Sequence, residues 1–306
     1  LTHFDTPIID SDEHRLHFKG DFENPFHLDM KQIRSLPKVT MPVTLECSGN
    51  GRTKISPRRY SMPWAYEAVG TSEWTGTPLA PLIERARPHS EVIEISFTGV
   101  DYGYDAGIGH YFGRSLTLTQ IKNLEVLLVY DMNGQPLLPQ HGAPLRIIVP
   151  GWYGMASVKW LKKVEALTEP FSGFQQTQTY RFRQSADDEG QPVTSMRVKS
   201  LMVPPGVPDW LSRMRCVEPG NITVNGRAWS GAGKKITKVE FASNGNWEAA
   251  EILGQVGKFA WTGWRYQWDA KPGKHVLQCR ASDESGETQP ITPPWDLAGF
   301  GNNAVQ

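Results

Sequence analysis

The sequence is poor in cysteine: it has three in 306 residues, and they lie far apart. A small, odd number of separated thiols argues against a disulfide framework and against a structural zinc site, because both need several cysteines. The sequence also lacks a CxxCH motif, so it attaches no c-type haem. No run of eighteen apolar residues occurs, so the sequence predicts no membrane-spanning helix.

Net charge is absent as well. The 32 basic and 32 acidic side chains give a formal net charge of zero, and no basic block indicates a nucleic-acid partner. The remaining composition, 39% hydrophobic, is that of a globular chain long enough for two domains. The first residues, LTHFDTP, start without methionine and in mid-pattern, so we expect further residues, including any export signal, to precede them.

The first part of the chain mixes strand and helix patterns. TPLAPLIERAR (77–87) predicts a helix that Thr77 caps and that has Pro78 in its first turn. Apolar or alternating runs predict strands at 14–20, 43–47, 91–99, 126–132 and 145–151.

A polar stretch at 183–196 predicts a linker, and beyond it the pattern has a period of two residues. Short runs separated by Asn-Gly, Gly-Lys and Ser-Gly turns are typical of an antiparallel β-sandwich. The predicted fold class is therefore α+β, with a mixed α/β domain over residues 1–190 followed by a β-sandwich over residues 191–306. The runs that predict the sandwich strands are 221–231, 234–245, 246–252, 266–270 and 274–286.

A predicted strand runs into a glycine-rich bend at VTLECSGNGR (43–52), and Cys47 stands at the join. The simplest interpretation is that Cys47 is a small hydrophobic residue of the core, where free cysteines are common. Gly49 and Gly51, however, allow a bend that brings the thiol and main-chain N–H groups close to a ligand. Arg52 would favour the thiolate. The stretch therefore suits a cysteine that acts as a soft anionic ligand. The partner of this thiolate could be a metal, an electrophile or nothing.

A second constellation lies in LPQHGAPLRIIVPGWYGMASVKWL (138–161). Here His141 and Arg146 bracket a Gly-x-Pro turn, and Ser157 and Lys159 follow the next turn. These residues could supply the cationic donors and exposed amides that a phosphate needs. A buried strand flanked by ordinary surface charges explains the same residues equally well.

Long motifs in a fixed order resemble the sulfite oxidase family. CSGNGR resembles its molybdenum-ligand motif, C-A-G-N-x-R, and the 138–161 block is similar to its second signature, with H-G-x-P-x-R and S-V-K-W. EWTGTPLAPLIERA (73–86) and VYDMNGQPLLPQHG (129–142) resemble its flanking segments, and NGRAWSG through CRASDESGETQP (225–290) resembles its immunoglobulin-like domain. The resemblance covers nearly the whole chain, and no single motif is short enough to match by chance.

The resemblance implies a molybdopterin-binding catalytic domain of sulfite oxidase type over residues 1–190 and an immunoglobulin-like dimerisation domain over residues 191–306. It implies that Cys47 ligates molybdenum while a pyranopterin dithiolene supplies the other sulfurs. The residues implied to hold the pterin and its phosphate are His3, His141, Arg146, Ser157 and Lys159. Those implied to face the substrate anion are Arg52, Arg280 and, across a one-residue gap in the match, Tyr180.

Strand patterning alone gives Arg280 a different place. In HVLQCRASD (275–283) it alternates with Cys279 and Ala281, and a lone arginine on a strand usually faces solvent. The pattern and the resemblance therefore make opposite predictions for this side chain.

The activity that the resemblance implies is oxidation of sulfite to sulfate. Electrons would pass to an external acceptor such as a c-type cytochrome, because the chain holds no haem, flavin or cytochrome b5-like segment. The resemblance also favours a homodimer and a periplasmic location.

Two departures from the family pattern bear, respectively, on the substrate pocket and on the contacts to the cofactor phosphate. Leu1 stands where an arginine is usual, and Ala156 stands where an arginine often precedes S-V-K-W. Another sulfur oxyanion or a sulfoxide therefore stays open as the substrate. Outside this family, Cys47 could be the nucleophile of a hydrolase or peroxidase with a histidine base, or the chain could be a sandwich-bearing binding protein without a cofactor.

Overall fold

The computed structural model describes residues 2–57, 61–209 and 214–306. Short helices lie among many strands: α1 (Met30–Ser35), α2 (Ala80–Ala86) and α3 (Leu118–Asn123). The first strands are β1 (Arg15–Gly20), β2 (Phe26–Asp29), β3 (Val39–Glu46), β4 (Val69–Pro78), β5 (Glu94–Asp105), β6 (Ile108–Leu116), β7 (Leu127–Met132), β8 (Gln135–Pro136), β9 (Arg146–Ile148), β10 (Leu161–Leu167), β11 (Arg181–Phe182) and β12 (Gln191–Pro192). The later strands are β13 (Lys199–Val203), β14 (Val207–Pro208), β15 (Arg215–Cys216), β16 (Gly220–Trp229), β17 (Ile236–Ser243), β18 (Asn246–Ala249), β19 (Glu251–Gln255), β20 (Thr262–Ala270) and β21 (Leu277–Asp283). Single turns of 3-10 helix include Arg52–Lys54, Pro139–His141 and Gly154–Ala156, and a π-helical turn covers Gln175–Thr179.

Two sheets and the helices build the first part. One sheet has the order β2-β1-β10-β5-β6, with β1 and β10 parallel and the other neighbours antiparallel. The other has the order β3-β4-β7-β8, with β9 beside β7. Phe18 and Phe97 of the first sheet and Leu128 of the second belong to one buried cluster, so the two sheets share a core. Burial of this apolar surface is the main force that holds them together.

The later strands form an antiparallel sandwich, as the period of two residues predicts. Its sheets have the orders β13-β16-β20-β19 and β18-β17-β21. Phe241 of β17, Trp264 of β20 and Cys279 of β21 are buried together between them. The α+β prediction, with a mixed part followed by a β-sandwich, is confirmed. In the described part of the chain, no helix is long and apolar enough to cross a membrane.

The helix predicted at 77–87 starts later than its capping pattern indicates. Thr77 and Pro78 are the last residues of β4 and pair with Leu128 and Leu127 of β7. The helix begins at Ala80, and a proline lies in its first turn. Thr77 as the cap was therefore wrong, because pairing in the middle of a sheet outweighs a local capping preference.

A buried ion pair joins the first part to the sandwich. Glu46 ends β3 and Lys199 opens β13, and the Lys199 Nζ–Glu46 Oε1 distance is 3.1 Å. Their side chains are only 2% and 3% exposed. Glu46 Oε2 accepts a hydrogen bond of 2.9 Å from Trp229 Nε1 of β16, and Oε1 accepts another of 2.9 Å from Asn50 Nδ2. Removing one partner would leave an unpaired buried charge.

We expect Lys199→Met to lower the free energy of unfolding by about 3–5 kcal/mol, because it leaves the buried Glu46 carboxylate without its cationic partner. Urea denaturation measures this loss. Lys163→Met is the matched control, since it breaks the partly exposed Lys163–Glu165 pair and should change stability by only about 0–1 kcal/mol. Adding Glu46→Gln to Lys199→Met should recover part of the loss. Equal losses in the two single variants would contradict a structural role for the buried pair.

Candidate functional site

A cavity of about 310 Å³ opens where β3 ends. Polar and sulfur-bearing side chains from distant parts of the chain meet at its wall. Of the residues predicted from the sequence, those that line it are His3, Cys47, His141, Arg146, Ser157, Lys159 and Tyr180. The fold therefore brings the two constellations of the sequence, 43–52 and 138–161, to one place.

Cys47 begins the turn that follows β3. Its N–H donates to the main-chain oxygen of Ala68 (2.9 Å), and its carbonyl accepts from the N–H of Asn50 (2.9 Å). Burial raises the pKa of the Cys47 thiol, and the N–H of Gly49 and the charge of Arg52 offset this only in part. The expectation that Arg52 favours the thiolate therefore describes the smaller effect. A metal at the cavity would displace the proton, because the thiolate is the ligating form.

Arg52 is 6% exposed and lies against the bend. Its Nε donates to the main-chain oxygen of Ala298 (2.8 Å) and its Nη1 to that of Met62 (3.0 Å). A side chain at Gly49 would place its Cβ 2.6 Å from Arg52 Nη2, so only glycine allows this packing. Burial lowers the pKa of Arg52. Both hydrogen-bond partners are neutral carbonyls, which orient the guanidinium without cancelling its charge.

Arg146 and Lys159 form a cationic side of the cavity. Arg146 donates to the main-chain oxygens of His141 (2.8 Å) and Ser157 (3.0 Å), and Lys159 Nζ donates to that of Gln140 (3.0 Å). Burial lowers the pKa of Arg146 to about 9. Burial, with the nearby Arg146 charge, lowers the pKa of Lys159 to about 8. A buried and a partly exposed cation, whose hydrogen bonds here go to carbonyls, are suited to a phosphate.

Tyr180 and His3 meet at another side of the cavity. Tyr180 follows the π-helical turn, and its hydroxyl lies 2.5 Å from His3 Nε2. Burial raises the pKa of Tyr180 and lowers that of His3, so both groups are neutral near pH 7. One of them donates the hydrogen bond that joins them.

Asp101 and Trp64 line the cavity and were missed in the sequence. Asp101 of β5 is 6% exposed, and burial raises its pKa to about 6. Asp101 Oδ1 and Trp64 Nε1 are buried without a hydrogen-bond partner among the described residues. A carboxylate within an apolar strand is the signal that could have found Asp101. Trp64 lies in an irregular segment, where no periodicity gives a signal.

These features fit a ligand that has a phosphate and a polar ring edge and that takes one thiolate from the protein. The unpartnered atoms of Asp101 and Trp64 offer one acceptor and one donor to a ring edge. The described residues contain no group of three or more His, Cys, Asp or Glu side chains that could hold a metal ion. A metal beside Cys47 would therefore need its other ligands from a cofactor.

Arg280 is not among the residues that line the cavity, whereas the resemblance predicts that it faces the substrate. Its Nε lies 2.7 Å from Glu240 Oε2 on the neighbouring strand β17, and its guanidinium stacks 4.2 Å from the Trp247 ring centroid. The side chain is 26% exposed. Strand alternation decides its direction, since Cys279 and Ala281 on either side are fully buried.

The structure describes only one of the two positions, Leu1 and Ala156, at which the sequence departs from the family pattern. Leu1 lies outside the described residues. Ala156 is buried in the 3-10 turn Gly154–Ala156, immediately before Ser157.

Two protein families match the chain in succession. The oxidoreductase molybdopterin binding domain matches residues 3–175, and the Mo-co oxidoreductase dimerisation domain matches residues 191–305. The chain belongs to the sulfite oxidase family. The cofactor of this family is molybdopterin with molybdenum, which the donor set of the cavity fits.

Relatives with several activities resemble this family member. Over 99% of this chain, it is 30% identical to mitochondrial sulfite oxidase of Macaca fascicularis and 31% identical to sulfite oxidase of Arabidopsis thaliana. It is also 30% identical, over 99% of this chain, to NADH nitrate reductase of Ulva prolifera. The chain spans 58%, 84% and 38% of these relatives, respectively. The solved structure of the sulfane dehydrogenase SoxCD from Paracoccus pantotrophus has a TM-score of 0.85 and 26% identity, covering 98% of this chain and 76% of that one.

The pKa of Lys159 predicts how the stability of the cofactor-free protein depends on pH. Burial disfavours the charged amine, so between about pH 8 and 10.5 the unfolded chain binds more protons and the free energy of unfolding rises with pH. Lys159→Met removes this contribution. We expect the difference in free energy of unfolding between wild type and Lys159→Met to move in favour of wild type as the pH rises through this window. Urea denaturation at several pH values measures it.

Lys163→Met is the control for this experiment, since Lys163 lies near Lys159 in sequence and outside the cavity lining. Its stability difference from wild type should stay constant over the same window. A Lys159→Met difference that does not change with pH would show that the amine is not destabilised by burial.

Proposed function

We propose that this protein oxidises sulfite to sulfate at a molybdenum centre that Cys47 ligates, and that an external acceptor such as a c-type cytochrome takes the electrons. The observation that carries the proposal is the convergence of one thiol, two cations and unpartnered polar atoms on a single cavity. Family membership identifies molybdopterin as the group that such a cavity holds. We take residues 1–190 as the catalytic domain and residues 191–306 as the dimerisation domain of a homodimer.

The cationic side of the cavity would hold the pterin phosphate. Arg146 and Lys159 supply the charge, His141 lies beside them, and Ser157 offers its hydroxyl proton because its Oγ already accepts from the N–H of Val149 (3.0 Å). Asp101, Trp64 and His3 would contact the ring system. When bound, the cofactor supplies the metal, the dithiolene sulfurs and the two-electron redox chemistry.

The substrate anion would meet Arg52 and Tyr180. Sulfite and water give sulfate, two protons and two electrons, so the substrate and the product are both oxyanions. The buried, carbonyl-bound guanidinium of Arg52 attracts such an anion strongly, because few water molecules screen it. The Tyr180 hydroxyl, fixed by His3, would hydrogen-bond near the reacting oxygen.

A second candidate substrate is another sulfur oxyanion or a sulfoxide. The similarity to the SoxCD sulfane dehydrogenase, which extends over 98% of this chain, favours a sulfur compound other than sulfite. The same metal centre and the same cations would serve either reaction.

The proposal is tested by metal analysis of the purified protein together with assays against sulfite and other sulfur compounds, with cytochrome c and ferricyanide as acceptors. Molybdenum near one atom per chain with sulfite turnover supports the proposal. If the protein contains molybdenum but turns over only another sulfur compound, that compound is the substrate in place of sulfite. Protein that is active as a hydrolase or peroxidase without molybdenum, or that binds none when cofactor is supplied, would refute it.

Cys47→Ser tests the metal ligand. A hard oxygen replaces a soft thiolate, so we expect the variant to keep bound pterin through the 138–161 block but to lose most sulfite turnover. The absorption spectrum of the metal centre should change as well. Cys216→Ser is the control, because Cys216 is exposed and is not one of the residues that line the cavity. Wild-type turnover and an unaltered spectrum in Cys47→Ser would rule out ligation.

Arg52→Gln tests the substrate cation. Loss of a charge-assisted contact of about 1.5–3 kcal/mol should raise KM for sulfite by roughly tenfold to a hundredfold. The loss should shrink at high ionic strength, because salt screens part of the attraction. Arg280→Gln provides a matched control, since that guanidinium pairs with Glu240 outside the cavity. Steady-state kinetics over a salt series that showed an equal KM for Arg52→Gln and wild type would remove Arg52 from substrate binding.

A further inference from the structure

The C-terminal segment 296–303 lies between the Cys47 turn and Tyr180, although it follows the sandwich in the sequence. The N–H of Gly301 donates to the main-chain oxygen of Ser48 (2.7 Å), and Asn302 Nδ2 donates to that of Gly51 (2.8 Å). The oxygen of Ala298 accepts from Arg52 Nε (2.8 Å). This segment therefore contacts the bend on which both Cys47 and Arg52 lie.

Phe300 of this segment contacts both residues that are proposed to meet the substrate. Its ring stacks on Tyr180, with centroids 5.3 Å apart and planes 30° apart. The guanidinium carbon of Arg52 lies 5.4 Å from the Phe300 ring centroid. Arg114 lies 5.9 Å from the centroid of the Tyr180 ring. Phe300 is therefore the ring that Arg52 and Tyr180 have in common.

The backbone around Phe300 is held firmly. Asp296 Oδ1 accepts from the N–H groups of Ala298 (3.0 Å) and Phe300 (2.8 Å), and Asp296 Oδ2 accepts from that of Arg183 (2.8 Å). Gly299 has φ +72°, and a Cβ there would lie 2.5 Å from Arg52 Cγ. The turn therefore fixes the ring of Phe300, which is itself only 6% exposed.

An aromatic ring suits this position for an electrostatic reason. Its face attracts a guanidinium and fixes the cation's position, but it does not neutralise the charge as a carboxylate would. The ring also offers a flat surface against which the phenol of Tyr180 can stack.

We propose that Phe300 is a positioning residue, which fixes Arg52 relative to Tyr180 so that both address one bound anion. The inference rests on the proposed function for the identity of that anion. It makes the second domain part of the anion site through Phe300. An ordinary core phenylalanine would contribute stability alone.

Two substitutions and a control separate these roles. Phe300→Leu keeps an apolar side chain but removes the ring faces, whereas Phe300→Tyr keeps the ring. Phe241→Leu is the matched control, because Phe241 is a buried phenylalanine of the sandwich that stacks on Tyr266 at 4.6 Å, outside the cavity. Calorimetric titration of each molybdenum-containing protein with sulfate measures anion affinity without turnover, and steady-state assays give KM and kcat for sulfite.

We expect Phe300→Leu to weaken sulfate binding by about tenfold and to raise KM for sulfite by a similar factor. Phe300→Tyr should stay within about twofold of wild type, and Phe241→Leu should leave both constants unchanged. In an Arg52→Gln background, Phe300→Leu should have little further effect, because its role passes through Arg52. Wild-type sulfate affinity in Phe300→Leu, or a loss that adds fully to that of Arg52→Gln, would overturn the inference.

The two proposals fail in different ways. If the wild type binds sulfate in a Phe300-dependent manner but does not oxidise sulfite, the proposed substrate is wrong and the positioning role of Phe300 stands. If the wild type oxidises sulfite and Phe300→Leu matches it in both measurements, the positioning role is wrong and the function stands. A wild type that binds no sulfate overturns the inference, whatever its turnover.

Discussion

The geometry of the cavity depends on the buried ion pair between Glu46 and Lys199. Glu46 directly precedes Cys47, and Lys199 opens the first strand of the sandwich. The same ammonium donates to the main-chain oxygens of Asn50 (3.1 Å) and Asn302 (2.7 Å), so it joins the end of β3, the turn after it and the C-terminal segment. A buried charge is tolerated only when such partners surround it. The thiol is therefore placed by contacts from both parts of the chain and not by β3 alone.

The cations near the cavity follow a different rule from Lys199. Arg52, Arg146 and Lys159 hydrogen-bond to main-chain carbonyls, which orient them and leave their net charge available. Burial makes each cation less favourable in the empty protein, and the charges of Asp296 near Arg52 and of Asp101 near Lys159 offset this only in part, as the lowered pKa values express. An anionic ligand removes this penalty, so binding energy and folding stability are linked at this site. Lys199 thus stabilises the fold through its ion pair, whereas the other three cations can still bind an anionic ligand.

Local sequence patterns predicted most of the strands and, together with the family resemblance, seven of the residues that line the cavity; tertiary packing decided the rest. The alternation of apolar and polar residues located β17 and β21. The two glycine-rich loops led to Cys47 and Lys159, because such loops can be recognised from their residue types alone. Thr77 was misassigned because sheet pairing overrode a capping signal. Asp101 was missed although a carboxylate within an apolar strand is a signal. Phe300 could not be found, since it meets Arg52 only across 248 positions of sequence (300 − 52). For Arg280, strand alternation predicted its direction better than the family resemblance did.

The second part of the chain contacts Arg52 with a carbonyl oxygen and a ring, neither of which carries a net charge. The oxygen of Ala298 and the ring of Phe300 both attract the Arg52 guanidinium without cancelling its charge. A carboxylate at either place would pair with Arg52 and weaken its attraction for an anion. Asp296 is the acid of this segment, and its oxygens are occupied by three main-chain N–H groups. The turn thus uses its carboxylate to fix the backbone. Asp296 forms no ion pair with Arg52 among the described residues, and its charge acts on the Arg52 guanidinium less than burial does, so a single segment supplies rigidity and leaves Arg52 without a directly paired acid.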